Sequence, residues 1–172
     1  MDAIRQRAQP SKRCIRSGTR AAFASLPPVN ARLEHANLIV LGVDAMLRFL
    51  QTAFPEFVVR AEGLGLRGER WLQVGTDETY LALNAANEEA AEVWVPYAGK
   101  PGLNHLGFEV DDADALRERM REAGYFDSTV PNAHPHRKRV YFQDAEGHDW
   151  EFVETSSDDP ALRHDYSLPD LP

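Results

Sequence analysis

The sequence predicts an α+β protein in which two βαβββ modules, related by a pseudo-twofold axis, form a cup-shaped mixed sheet. Three observations carry this expectation. At a constant offset of 70 the chain repeats itself: His35 falls on His105, Asp44 on Asp114, Ala45 on Ala115, Met46 on Leu116 and Leu50 on Met120. The same spacing continues later in each half, where Trp71 meets Tyr141, Leu72 meets Phe142, Gln73 meets Gln143 and Tyr80 meets Trp150. Finally, each half runs in one order, from an extended apolar run through an acid-capped helical stripe to further strands. A unit that cannot bury its apolar face alone does so against its own repeat.

The first element of each module is a strand, His35-Ala-Asn-Leu-Ile-Val-Leu in one half and His105-Leu-Gly-Phe-Glu-Val in the other. Helices follow. One starts at Asp44, carries Met46, Phe49, Leu50 and Ala53 on one stripe and stops at Pro55; its repeat starts at Asp114, carries Leu116, Met120 and Ala123 and stops at Gly124. Three strands then complete each module, at 57–61, 70–74 and 79–83, and at 126–130, 139–143 and 149–153. Module one is placed at 33–95 and module two at 103–155, within a domain spanning 31–155. The joining segment 84–102 is rich in Ala and Glu and ends in Pro-Tyr-Ala-Gly-Lys-Pro-Gly, as a linker does. Residues 1–30 read as a basic flexible arm and 156–172 as a C-terminal surface arm.

Composition narrows the function classes. With 172 residues, 43% of them hydrophobic and 27% charged, the chain can bury one sizeable core. No run approaches the roughly 18 apolar residues of a membrane span. Cys14 is the sole cysteine, so a disulfide framework and a thiolate metal cluster are both excluded; a cytoplasmic setting is expected. The net charge of -8 is uneven, because the arm carries six Lys/Arg against one acid, Asp2. The body is therefore acidic and unsuited to polyanions, which makes nucleic acid an unexpected partner. The arm itself, rich in Arg, Ser and Ala, loosely resembles an organellar transit peptide and equally a disordered extension.

Strand alternation places His35, Asn37 and Ile39 on one face and Ala36, Leu38 and Val40 on the other. The same parity puts His105, Gly107 and Glu109 together on the face away from the helix, along with Glu151 and Val153 in the last strand. If the modules pack about a twofold axis, His35 approaches His105, and Leu81 approaches Glu151. Two imidazoles and a carboxylate suit one divalent metal ion, Fe, Mn, Ni, Co or Zn, with positions left for substrate. Taken alone, a histidine at a strand start is more often a hydrogen-bonding surface residue. The repeat and the carboxylate, set in a strand otherwise built of Trp150, Phe152 and Val153, favour the metal.

The stretches around Leu33-Glu-His35, Leu103-Asn-His105 and Arg139-Val-Tyr-Phe-Gln-Asp-Ala-Glu-Gly-His-Asp-Trp-Glu151 resemble the signature strands of the vicinal oxygen chelate superfamily. This is the group of glyoxalases, bleomycin resistance proteins and extradiol dioxygenases. The likeness covers 33–155, with Ala145 standing where the usual Asp-Pro-Asp-Gly turn has proline. It implies metal ligands His35, His105 and Glu151, with Glu154 as a competing carboxylate that strand parity disfavours. It further implies a lyase, isomerase or dioxygenase whose metal binds two vicinal oxygens of a small substrate and stabilises an enediolate or alkoxide. A homodimer is the assembly implied. Leu81 stands where a glyoxalase I has its second carboxylate, which argues against that activity.

Parity assigns Asn37, Trp71, Gln73, Arg139, Tyr141 and Gln143 to substrate contact, a cup of polar and aromatic groups suited to a small oxygenated or aromatic acid. Glu151 and Glu109 are the candidate catalytic groups. Glu109 would act as a general base if burial raised its pKa, and otherwise as a supporting carboxylate. His134 and His136, in a Pro-Asn-Ala-His-Pro-His loop, lie at the rim or in solvent. The competing class is a metal-free or metal-assisted protein that sequesters a small molecule without turning it over.

Overall fold

A computed structural model describes residues 31–87, 97, 103–130, 134–165 and 167. The basic arm, and with it Cys14, lies outside the described residues, as does most of the joining segment. The elements in order are β1 (His35–Val40), α1 (Val43–Ala53), β2 (Val58–Leu64), β3 (Arg70–Gly75), β4 (Tyr80–Ala85), β5 (His105–Glu109), α2 (Ala113–Glu122), β6 (Phe126–Asp127), β7 (Arg137–Gln143), β8 (Asp149–Thr155) and α3 (Pro160–Arg163). They form two mixed sheets of order β1-β4-β3-β2 and β5-β8-β7-β6, with the helices between them and no closure into a barrel. In each sheet the first strand pairs in parallel with the last, and the remaining neighbours are antiparallel. Two similar modules are thus present. Among the described residues, no helix is long and apolar enough to cross a membrane.

The helical stripes do what their spacing requires. Met46, Phe49 and Leu50 of α1 and Leu116 and Met120 of α2 are buried with Leu72, Leu83, Phe142 and Phe152 from the sheets. Aromatic rings join the modules. Phe54 packs at 4.8 Å from Phe108 and 5.6 Å from Phe152, and Phe49 at 5.0 Å from Tyr125 and 5.6 Å from Trp150. Helix ends leave unpaired backbone groups, and both ends of α1 are served by module two. At its N-terminus the Gly42 amide donates to Glu146 Oε1 at 2.9 Å. At its C-terminus Arg119 of α2 donates to the carbonyls of Thr52 and Ala53, each at 2.7 Å.

One element departs from the sequence reading. The strand expected at 126–130 is only Phe126–Asp127. Asp127 ends it: its carboxylate accepts the Thr129 amide at 3.0 Å and pairs with Arg117 at 2.7 Å and Arg121 at 2.6 Å, so local bonds replace the ladder. The C-terminal segment, expected as a surface arm, is largely exposed over its described residues and meets β5 through the Arg163–Glu109 pair.

The repeat offset of 70 holds through β1/β5 and α1/α2 but slips afterwards. Asn37 pairs with Ala82, whereas its repeat Gly107 pairs with Glu151. The position equivalent to Glu151 is therefore Ala82, and that equivalent to Tyr141 is Gln73, because Gln73 pairs with Ala82 as Tyr141 pairs with Glu151. A one-residue slip reverses the face of every side chain in a strand. Leu81 accordingly lies in the core at 4% exposure, and not beside a metal site as the constant offset required. Leu81→Ala should then cost about 2–5 kcal/mol of stability as a core cavity, while Ala82→Ser stays within about 0.5 kcal/mol. Urea unfolding of both variants checks the assignment; equal effects would return Leu81 to the open face.

Candidate metal centre

The face of β5, β8 and β7 turned away from the helices is ordered by register. His105 lies beside Asp149 and Gln143, Gly107 beside Glu151 and Tyr141, and Glu109 beside Val153 and Arg139. Gly107 gives Glu151 its room: a Cβ there would sit 3.3 Å from Glu151 Oε2. The Glu151 side chain, only 14% exposed, faces His105 Nε2 at 3.3 Å through Oε2 and accepts the Tyr141 hydroxyl at 2.7 Å through Oε1. Burial, and next the bond to Glu151, push the Tyr141 hydroxyl well above its usual pKa, so it stays a proton donor. The His105 Nδ1 is buried with no hydrogen-bond partner among the described residues.

These donors fit a metal. Two ligands about 2.1 Å from one ion lie roughly 3.0 Å apart in octahedral and roughly 3.4 Å apart in tetrahedral geometry, and the His105–Glu151 separation of 3.3 Å falls in that interval. A carboxylate this enclosed is also a group that wants a cationic partner.

His35 occupies the open face of the other sheet. Its ring stacks on Tyr80 at 4.8 Å, the Arg60 guanidinium lies 4.5 Å from the Tyr80 ring centre, and Nδ1 bonds the Glu34 carboxylate. Among the described residues no group of three His, Cys, Asp or Glu side chains gathers into a metal site within the chain. The structure thus brings His105 and Glu151 together and leaves His35 apart from them.

The remaining candidates are placed as follows. Asn37 accepts the Asn84 amide at 2.7 Å, and Trp71 lies against Gly63, where a Cβ would come within 2.9 Å of its ring. Trp71, Gln73, Arg139, Tyr141 and Gln143 are all part-buried and alternate with buried core residues along β3 and β7. Glu109 does not have the raised pKa a general base would need. Its carboxyl is held below the usual range by the Thr155 hydroxyl, which donates at 2.8 Å, and then by Arg163 and Arg137. Glu154 points to the helix side, where it accepts the Ala113 amide at 2.9 Å. His134 is tied to the C-terminal segment, with Nε2 at 3.0 Å from the Asp165 carbonyl. Tyr97 escaped the sequence reading: its ring lies 6.5 Å from that of His105. It sits in the linker, where no periodicity marks it.

The turn that leads into β8 is organised by Asp144. Its carboxylate accepts from the backbone amides of Glu146 (2.8 Å) and His148 (3.0 Å), from His148 Nδ1 (3.0 Å) and from Trp150 Nε1 (2.9 Å). Gly147, at φ 83°, closes the turn in the left-handed region that glycine adopts without penalty.

Paired βαβββ modules with a histidine and a carboxylate converging on an open sheet face define a class of small-molecule-binding α+β proteins. The family model for the Glyoxalase/Bleomycin resistance protein/Dioxygenase superfamily matches residues 32–152, and the chain belongs to this superfamily. No curated protein matches it in sequence. Solved structures share the fold. The fosfomycin resistance protein FosX from Listeria monocytogenes superposes with a TM-score of 0.62 at 16% identity, over 78% of this chain and 99% of that one. The same protein in complex with Mn(II) and sulfate gives 0.55 at 17% identity, over 74% and 95%. A glyoxylase/bleomycin resistance protein/dioxygenase domain from Frankia sp. EAN1pec gives 0.59 at 18% identity, over 77% and 96%.

The turn makes a pH prediction. Asp144, with its pKa lowered by His148 and Trp150 against the opposing effect of burial, contributes stability above its unfolded pKa and loses it as pH falls through the folded value. His148, raised chiefly by Asp144, contributes fully below its unfolded pKa near 6.5 and loses that part as pH rises through its higher folded value. Asp144→Asn should therefore cost about 1–3 kcal/mol at pH 6, with the deficit shrinking toward pH 3. Urea unfolding across pH 3–8 measures this; a deficit independent of pH would contradict it.

Proposed function

We propose that this protein is a divalent-metal-dependent enzyme acting on a small substrate chelated through two vicinal oxygens, by lyase, isomerase or dioxygenase chemistry. The observation that carries the reading is the His105–Glu151 pair, 3.3 Å apart and braced by Tyr141. The third ligand is His35 of a second copy of the chain. Support for a shared site comes from placement: His35 lies on the open face of one sheet and the pair on the open face of the other, with the helices between the sheets. Two copies related by a twofold axis can apply each face to its counterpart, and such an interface uses the same surfaces twice.

Bound there, the metal would polarise substrate oxygens as a Lewis acid. The chain's own groups do the rest. Tyr141 donates to Glu151 Oε1 and so fixes the carboxylate rotamer that leaves Oε2 toward His105. Its high pKa keeps that proton in place throughout the neutral range. Trp71, Gln73 and Asn37 would form the opposite wall, contributed with His35 by the other copy. The Mn(II) complex of the fold relative FosX is consistent with such a site in this architecture.

Metal content and complementation test this together. The parent should hold one ion per shared site, and Glu151→Ala and His35→Ala should each lose tight binding while remaining folded. Tyr141→Phe should weaken binding by about 10-fold, as loss of a supporting hydrogen bond does. Unfolding and refolding the two loss variants together at equal amounts should restore about a quarter of the parent's sites, since random pairing makes half the dimers mixed and one site in each of these is intact. A parent that binds no divalent metal reduces the protein to the sequestering alternative. A metal-binding parent whose variant mixture restores nothing puts all ligands in one chain.

A further inference from the structure

We propose that Glu34 is a positioning residue for the metal: by accepting the Nδ1–H of His35 it fixes the tautomer that turns a bare Nε2 outward, and Nε2 is the atom through which His35 ligates. The inference rests on the metal reading for the identity of the ligand. Its own observations lie at the start of β1.

The backbone of Glu34 is held by the neighbouring strand. Its carbonyl accepts the Thr79 hydroxyl at 3.0 Å and the Tyr80 amide at 3.3 Å, which sets the direction in which the side chains of Glu34 and His35 leave the chain. The Glu34 carboxylate then bonds His35 Nδ1. An ionised carboxylate only accepts hydrogen bonds, so the proton of this bond is on Nδ1, and a neutral imidazole carries a single proton. The lone pair is therefore on Nε2. That atom makes no hydrogen bond among the described residues, and the His35 side chain is 41% exposed on the open face.

The ring plane is set as well. His35 and Tyr80 are register partners on β1 and β4, with rings 4.8 Å apart and 11° from parallel. The Arg60 guanidinium lies over the same tyrosine, 4.5 Å from the ring centre, a cation–π contact that holds Tyr80 in turn. Tyr80 thus fixes the plane of the imidazole and Glu34 its rotation within that plane, and together they determine where Nε2 points.

Module two is built differently at the same place. Asn104 and Asp149 stand where Glu34 and Tyr80 stand in module one, and His105 Nδ1 has no hydrogen-bond partner among the described residues. His105 is aimed through Nε2, which faces Glu151. No second carboxylate bonds His35 among the described residues, so its aim comes from behind the ring. An exposed ion pair contributes little to stability. A carboxylate behind a ligating imidazole has a different effect: it fixes the tautomer and raises the basicity of the ligand, and its loss weakens metal affinity about 10–100-fold.

The imidazole nitrogens report this directly, because a protonated and a bare ring nitrogen differ widely in 15N chemical shift. In metal-free full-length protein labelled with 15N-histidine, at about pH 8 where an ordinary imidazole is neutral, His35 should carry its proton on Nδ1 and none on Nε2; its signals are assigned by their loss in His35→Ala. Glu34→Ala should lose that preference and weaken Mn(II) binding, measured by calorimetry, by about 10-fold or more. Glu34→Gln keeps an accepting oxygen beside Nδ1 and should recover the tautomer and most of the affinity. A merely structural role at the strand start would leave the tautomer unmoved. A parent with the His35 proton on Nε2, or a metal-binding parent whose Glu34→Ala variant keeps both tautomer and affinity, overturns the proposal and leaves the metal reading intact. A parent with the expected tautomer that binds no divalent metal overturns the metal reading, and the positioning role falls with it.

Discussion

The close approach of Glu151 to Gly107 is the constraint on which the rest of the site depends. Because β5 runs parallel to β8, the two residues are paired across the ladder, and Gly107 is the only residue type that leaves the space above it fully open. The carboxylate folds into that space and meets His105 on one side and the Tyr141 hydroxyl on the other. Parallel pairing of the first and last strands of a module is itself a result of the crossover through α2, which returns the chain to the same sheet. The topology thus brings residues 46 positions apart in the chain to within 3.3 Å.

Rigidity comes from beneath. The Asp144 turn sets where β8 begins, using four hydrogen bonds to one carboxylate whose side chain is fully buried. Trp150, one of those donors, also packs against Phe49 of the other module. With Glu146 and Arg119 serving the two ends of α1, the modules are joined by polar bonds at the helix ends and by aromatic rings between. Such a core joins the two modules and leaves the outer face of each sheet open.

Most of the architecture was legible because helical and strand periodicities are local, and a repeat doubles the sampling of each. The two helices, seven of the eight strands and the nearness of His105 to Glu151 all follow from apolar spacing and parity. What failed was non-local. A constant offset assumed equal loop lengths, yet the loops before β3 and β4 differ in length from those before β7 and β8, so Leu81 turns inward and Ala82 takes the place opposite Asn37. Whether His35 joins the pair within one chain or across two was open from the sequence, because it depends on how modules pack, which no spacing within a strand reports. The C-terminal segment reads as a surface arm because Ser-Ser-Asp-Asp-Pro is polar; its contacts with the sheet, Arg163 to Glu109, His134 to the Asp165 carbonyl and Arg137 to the Arg163 carbonyl, are scattered polar bonds that no periodicity marks. By position alone Glu109 fits either a base or a supporting carboxylate; the Thr155 hydroxyl, with Arg163 and Arg137, holds its pKa down, which favours the supporting role.

The central claim is that one metal ion sits between His105 and Glu151 with His35 of a second copy as its neighbour. Paramagnetic broadening by Mn(II) maps this directly, since its effect on nuclear relaxation falls steeply with distance. Substoichiometric Mn(II) added to isotope-labelled protein should first bleach the amide signals of His105, Gly107, Glu151 and Tyr141 together with those around His35, while Asp114 and its neighbours in α2 persist. Broadening centred on the His134–His136 loop, or confined to the His105 face with His35 untouched, would contradict the account.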